Sequence, residues 1–232
     1  MGRRPAITLT CLILIYIIFW SEGGLKGQAL PSTGQIRMMT EGSVIYKLSS
    51  PQLPPAEAAI VDSVTYTLSI KGSRIRTDFV GGLGTTTTIY SSLSHAGALL
   101  REYGQQKLLV RMTKEDFEDL GKTYRFAGYN LTGDTAMIAG YLCKKAWSTT
   151  EAGDTLVVWY APDLLPQNKE YSYRFTPLPG LPLQYESMMG KWKVTYKAAK
   201  VSMEPVPSSR FDIPKVGYRE MTYKESKDLL SH

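Results

Sequence analysis

The chain has almost no histidine. Of its 232 residues only His95 and His232 carry an imidazole. A histidine-based metal centre needs two or three such ligands, so that class falls away. Cysteine is as scarce, with Cys11 inside an apolar run and Cys143 far downstream. With Cys11 removed in a leader, no intramolecular disulfide can form, and stability has to come from the core. No phosphate loop, dinucleotide fingerprint or Cys-x-x-Cys pair occurs. Gly81 to Gly84 is glycine-rich but lacks a following Lys-Ser/Thr and a helix. Charge of one sign is never concentrated, so nothing resembles a basic run that grips nucleic acid.

What is present begins with a leader pattern. Arg3 and Arg4 precede an apolar stretch from Ile7 to Trp20, and Gly27-Gln28-Ala29 has the small-x-small form of a cleavage site. The apolar stretch is shorter than the roughly 20 residues that span a bilayer. We therefore expect a signal peptide over 1–29, cleaved near Ala29, and one antiparallel β domain over 30–232. Cleavage nearer Gly23, or retention as an anchor, stays open. Setting aside Arg3, Arg4, Lys26 and Glu22 leaves 24 basic and 20 acidic residues, a net of +4.

The dominant signal is period-two alternation. Val64, Tyr66, Leu68 and Ile70 interleave with Ser63, Thr65, Thr67 and Ser69. Successive side chains of a strand face opposite ways, so one face is apolar and the other polar. Lys71-Gly72-Ser73 turns this strand into Arg74–Phe79. Further strands are expected over Ser43–Leu48, Thr85–Tyr90, Ala98–Tyr103, Leu108–Met112, Tyr124–Leu131, Met137–Trp147, Thr155–Tyr160, Leu183–Met189 and Lys191–Val201. Thr132-Gly133-Asp134 reads as the turn between Tyr124–Leu131 and Met137–Trp147. Turns at such short intervals indicate an all-β sheet, sandwich or barrel. Helix signals are few. Thr113 with Asp116, and Thr222 with Glu225, form capping pairs for two short helices, the second ending near Leu230. Ala161–Pro182 and Met203–Tyr218 are proline-rich and expected as loops or edge segments.

Candidate chemistry is thin. Cys143, in Gly140-Tyr141-Leu142-Cys143-Lys144-Lys145-Ala146, reads either as a thiolate activated by the lysines or as a small core residue. His95 reads as a surface-loop residue or as the base of a triad of unknown partners. Glu115, Asp116, Glu118 and Asp119 read as a solvated helix face or a carboxylate pair. Lys191, Lys193 and Lys197 form a basic stripe that either discourages edge pairing or meets anionic lipid or polysaccharide. Thr176-Pro177-Leu178-Pro179-Gly180-Leu181-Pro182 is either a flap over an apolar cavity or a loop that tucks its leucines into the core edge.

Several short motifs, in order, resemble the secreted family of domain of unknown function 4412 and, more distantly, the GLPGLI family. They are Gly42-Ser43-Val44-Ile45-Tyr46-Lys47, Lys71-Gly72-Ser73-Arg74-Ile75-Arg76, Ile138 to Ala146, Val158-Trp159-Tyr160-Ala161, the Pro-Leu-Pro-Gly-Leu-Pro stretch and Phe211-Asp212-Ile213-Pro214. The resemblance implies a lipoprotein-carrier-like fold, a curved antiparallel sheet holding an apolar concave face under lids, in a Bacteroidota-like envelope. It brings no catalytic residues.

Together these readings predict a mainly β protein, a half-open barrel with one or two short helices. They predict a secreted or periplasmic, non-catalytic binding module for a lipid, acyl chain or lipidated polypeptide. Leu178, Leu181, Tyr185 and Trp192 are the expected ligand-binding residues, with no metal and no cofactor. An envelope protein-interaction module is the second expectation, and a hydrolase or thiol enzyme using Cys143 or His95 the third. The candidate partners are a lipid, a lipoprotein, an envelope protein or a membrane surface, and not nucleic acid.

Overall fold

The computed structural model describes residues 35–122, 128–149, 153–172 and 174–228. The signal segment, the start of the strand expected from Tyr124, Leu230 and His232 lie outside the described residues. Strands dominate: β1 (Arg37–Met39), β2 (Glu41–Ser49), β3 (Thr65–Lys71), β4 (Arg74–Gly81), β5 (Gly84–Ser91), β6 (Ala96–Tyr103) and β7 (Gln106–Met112) form the first half. The second half holds β8 (Asn130–Ile138), β9 (Tyr141–Thr149), β10 (Thr155–Ala161), β11 (Leu164–Pro166), β12 (Leu181–Met189), β13 (Trp192–Ser202) and β14 (Arg219–Met221). Among the described residues there are three short α-helices, α1 (Pro55–Ser63), α2 (Lys114–Lys122) and α3 (Tyr223–Asp228).

Twelve of the described strands make one curved sheet in the order β14-β7-β6-β5-β4-β3-β2-β13-β12-β10-β9-β8. Its end strands do not meet, so it is not a closed barrel. Pairing is antiparallel except where β14 lies parallel to β7, and β1 pairs with β11 in a separate parallel two-stranded sheet. The hairpins follow from the sequence: β3 and β4 meet at Gly72-Ser73, where Gly72 takes a left-handed φ of 56°.

Three boundaries differ from the sequence expectation. The turn expected at Thr132–Asp134 is an irregularity inside β8, opposite β9. The true turn is Ala139-Gly140, with φ of 49° and 82°, the geometry of a tight primed hairpin. Ala161–Pro182, expected as loops or edge segments, carries the short β11 paired with β1, while its last two residues, Leu181 and Pro182, already belong to β12. A third helix, α1, starts on Pro55, where the missing N–H of proline costs nothing. The two expected capping pairs are present. Thr113 N donates to Asp116 Oδ2 at 2.9 Å and Thr222 N to Glu225 Oε2 at 2.7 Å, with the reciprocal bonds at 3.4 and 3.2 Å.

The concave face carries the main core, from Val44, Tyr46, Leu68 and Ile70 across to Val110, Val158 and Leu183. α2 and α3 close over its β6–β7 end, where Tyr223 hydroxyl and Lys227 both meet Asp119 of α2, at 3.1 and 2.8 Å. The acids of α2 are thus divided between capping, a Lys114–Glu118 pair and the grip on α3.

The convex face is not uniformly polar. Over β4–β7, Ile213 and Tyr218 of the proline-rich C-terminal segment cover a second core of Ile89, Ala98, Leu100 and Leu109. The segment is pinned by Arg74 over the Phe211 ring, by Arg210 to Asp78 at 2.8 Å, and by the Tyr218 hydroxyl donating to Glu102. That last hydrogen bond pushes the Tyr218 phenol up to about 12.

Candidate functional site

The concave face is not filled everywhere. Between its central strands and a roof made by α2, residues 170–172 and residues 174–175 lies a pocket of about 350 Å³. Alternation places the floor. Tyr46, Tyr66, Leu68, Ile75, Thr77, Thr88 and Tyr90 project from β2–β5, and Pro182, Tyr185, Ser187 and Tyr196 from β12 and β13. Phe117, Leu120 and Gly121 come down from α2, and Glu170, Tyr171, Ser172, Arg174 and Phe175 from the roof segment.

Six tyrosines therefore surround one space. Tyr185 stacks on Tyr196 with centroids 4.8 Å apart, and Tyr46 meets Tyr66 and Tyr185 at 5.7 and 5.6 Å. Burial pushes the phenols of Tyr46, Tyr171 and Tyr185 upward, since it disfavours the phenolate. They are neutral hydrogen-bonding groups at any physiological pH. Tyr46 donates to Pro182 O at 2.8 Å. The hydroxyl of Tyr171 is buried with no hydrogen-bond partner among the described residues.

Two charged residues line the space. Arg174 stacks over Phe175 and Tyr185, 5.1 and 5.3 Å from their centroids, and donates to Glu186 O. Glu170 accepts from the Tyr90 hydroxyl at 2.5 Å, and His95 Nδ1 lies 3.2 Å from that hydroxyl and 3.4 Å from Glu170 Oε2. The roof is tied down at this point. Asn168 Oδ1 accepts from Glu170 N at 3.0 Å, while its amide donates to Gly72 O and Ser92 Oγ at 3.2 and 3.1 Å.

The structure distributes the sequence candidates unevenly. Tyr185 lines the pocket. Leu178 and Leu181, expected near the mouth, are core residues, 8% and 0% exposed. Leu178 lies in a proline-flanked turn and Leu181 opens β12 opposite Ala161, and both are buried because exposure would forfeit about 1.5–3 kcal/mol each. Trp192 is elsewhere too, in a smaller groove of about 210 Å³ with Ile60, Val61 and Met189 beside α1. His95 sits in the β5–β6 turn with a left-handed φ of 52° and touches the Tyr90–Glu170 pair at the pocket. Its connection to Glu170, far along the chain, has no local sequence signal. The stripe Lys191, Lys193 and Lys197 is broken: Lys193 pairs with Glu186 at 3.7 Å and Lys191 lies over the Trp192 ring.

Cys143 is fully buried, and burial pushes its thiol up to about 12. Neither neighbouring lysine activates it; Lys145 pairs with Asp134 at 3.1 Å. Iodoacetamide at pH 8 is expected to leave Cys143 unlabelled in the native protein and to label it fully in 8 M urea, read by peptide mapping. Labelling of Cys143 in the native protein at the rate of a free thiol would contradict its burial. Among the described residues no group of three or more His, Cys, Asp or Glu side chains gathers as a metal site.

No family model matches the chain, and no curated protein does. Among solved structures, one of PNGF-II is similar over 83% of this chain and 33% of that one, at 14% identity and a TM-score of 0.50. An uncharacterized conserved protein from Thermus thermophilus matches over 79% of this chain and 91% of that one, at 9% identity and a TM-score of 0.47. The chain spans about a third of the length of the PNGF-II chain, and at 14% identity the likeness to it is one of fold alone.

Proposed function

We propose that the protein is a non-catalytic binding module of a cell envelope, exported by its N-terminal segment, that holds one amphiphilic molecule in the tyrosine-walled pocket. The ligand is an acyl chain or lipid with a polar end. The observation that carries this reading is the space of about 350 Å³ roofed by α2, residues 170–172 and residues 174–175. It falls within the roughly 300–1,000 Å³ typical of small-molecule sites. An apolar cavity of this size forfeits dispersion and burial energy while empty, which favours an apolar occupant. The walls are not wholly aliphatic, however. Glu170, the Tyr171 hydroxyl, Thr77, Thr88 and Ser187 give a polar end somewhere to bond. The ligand residues proposed are therefore Tyr66, Tyr171, Tyr185 and Glu170, in place of Leu178, Leu181 and Trp192.

The test is displacement of a fluorescent fatty-acid probe by saturated fatty acids of increasing length. Each buried methylene contributes about 0.8 kcal/mol, so two more carbons should tighten binding about tenfold until the pocket is full. Thr88→Trp, which fills the pocket floor, should weaken binding at least tenfold without lowering the melting temperature. Affinity independent of chain length, together with an unaffected Thr88→Trp variant, would remove the reading.

A further inference from the structure

The convex face beside the C-terminal cover has a feature that pocket binding does not use. Directly opposed residues of neighbouring strands point the same way, and the register builds one continuous row. Thr65 lies opposite Lys47, Lys47 opposite Lys197, Lys197 opposite Gln184, Gln184 opposite Trp159, and Trp159 opposite Lys145. Five strand spacings make the row about 24 Å long. A bulge in β13 adds to it. Ala198 pairs with Tyr46 but Lys200 pairs with Ile45, so Ala199 is the extra residue. Without the bulge Lys200 would face the concave side; with it, Lys200 shares the convex face with Lys197.

Three exposed lysines, Lys47, Lys197 and Lys200, are thereby grouped on one surface. Lys47 donates to Thr65 Oγ1 at 2.8 Å. Among the described residues no carboxylate comes within ion-pair distance of any of the three. Like charges directly opposed across a ladder are destabilising. Lysines are tolerated on sheet edges because they block edge-to-edge pairing. That explanation does not apply here, since β2 and β13 have paired neighbours on both sides and the edges are β14 and β8. The opposition of Lys47 and Lys197 costs stability, and no described carboxylate offsets it.

We propose that this row is a docking face for an acidic polysaccharide laid across the strands. Lys47, Lys197 and Lys200 would take its carboxylates or sulfates. The amide of Gln184 and the hydroxyl of Thr65 would take sugar hydroxyls, and the half-buried indole of Trp159 would offer a face for a sugar ring. An anionic bilayer is the poorer match, because polybasic lipid sites use about 4–8 clustered basic residues, without a linear series of amide, hydroxyl and indole.

The experiment titrates polygalacturonate oligomers into the full chain at 50 and 500 mM NaCl. Neutral dextran and phosphatidylglycerol vesicles run in parallel. Binding to polygalacturonate is expected, at least tenfold weaker at the higher salt, with none to dextran. The variant K47Q/K197Q/K200Q should lose at least tenfold in affinity while melting at the same or a higher temperature and keeping its fatty-acid binding. Q184A should weaken binding at low salt without altering the salt dependence. Equal affinity of the triple variant and the parent would overturn the proposal. So would equal binding of dextran, or lysine-dependent binding of vesicles without binding of polygalacturonate.

Discussion

Gly97→Ala is expected to destabilise the fold by about 3 kcal/mol or more, among the larger effects of a single methyl group. Gly97 lies in β6 between Tyr90 of β5 and Met112 of β7. A Cβ there would stand 1.9 Å from the carbonyl oxygen of Ile89 and 2.9 Å from its carbon. Both atoms are backbone, so no side chain can turn aside, and β5 must move away from β6. Tyr90 moves with β5. Its ring packs on Phe117 at 4.8 Å and its hydroxyl holds Glu170. The variant is therefore expected to lose pocket binding as well as stability, with a melting temperature lower by roughly 6–12 °C. Gly82→Ala is the matched control, because nothing lies within 4 Å of a Cβ there. Urea unfolding of the two variants decides the matter, and equal midpoints would show that the β5–β6 contact is not as close as described.

The alternation of Val64 to Ile70 and of Trp192 to Ala198 is enough to anticipate strands, their faces and the open, mostly antiparallel sheet. Such signals are local: they concern neighbours two residues apart. They carry nothing about which distant strand lies alongside, and the pairing of β2 with β13, from the opposite end of the chain, has no local counterpart. The pocket suffers from the same limit. Its floor tyrosines are visible as apolar-face residues, but part of its roof comes from Glu170, Tyr171, Ser172, Arg174 and Phe175, inside a stretch that reads as irregular. Leu178 and Leu181 look accessible because prolines break the ladder, yet losing ladder bonds does not keep a side chain in water, and both are core. The convex face shows a different failure. Arg74, Arg76 and Asp78 alternate with Ile75, Thr77 and Phe79 and so read as solvated, but a second layer can cover a polar face when ion pairs join the two. Arg210 of the C-terminal segment supplies that join.

Asp78→Asn tests this second layer and is expected to cost about 3 kcal/mol at pH 7. Asp78 is only 6% exposed. Its carboxylate accepts from Arg76 Nε at 2.9 Å, Thr87 Oγ1 at 2.7 Å and Arg210 at 2.8 Å, while Arg76 also donates to Arg210 O at 2.7 Å. The amide keeps the volume and removes the charge, leaving the guanidinium groups of Arg76 and Arg210 without the carboxylate they share. Burial alone pushes the Asp78 carboxyl up, but hydrogen bonds from Arg76 and Thr87 and the charges of Arg76 and Arg210 outweigh it and hold the group below the usual carboxylate range. A carboxyl depressed in the folded state stabilises the protein above its unfolded-state value. That contribution fades as pH falls through the folded value, below about pH 4. The stability gap between parent and Asp78→Asn should therefore be full at pH 7 and narrow steadily below about pH 4, as protonation makes the parent resemble the variant. Trypsin should cut after Arg210 faster in the variant at pH 7, because the clamp on the C-terminal segment is lost. A gap of constant size from pH 7 to pH 2.5 would mean that Asp78 acts through its shape rather than its charge, and that the segment is held to the sheet by its other contacts, among them Ile213, Tyr218 and Phe211.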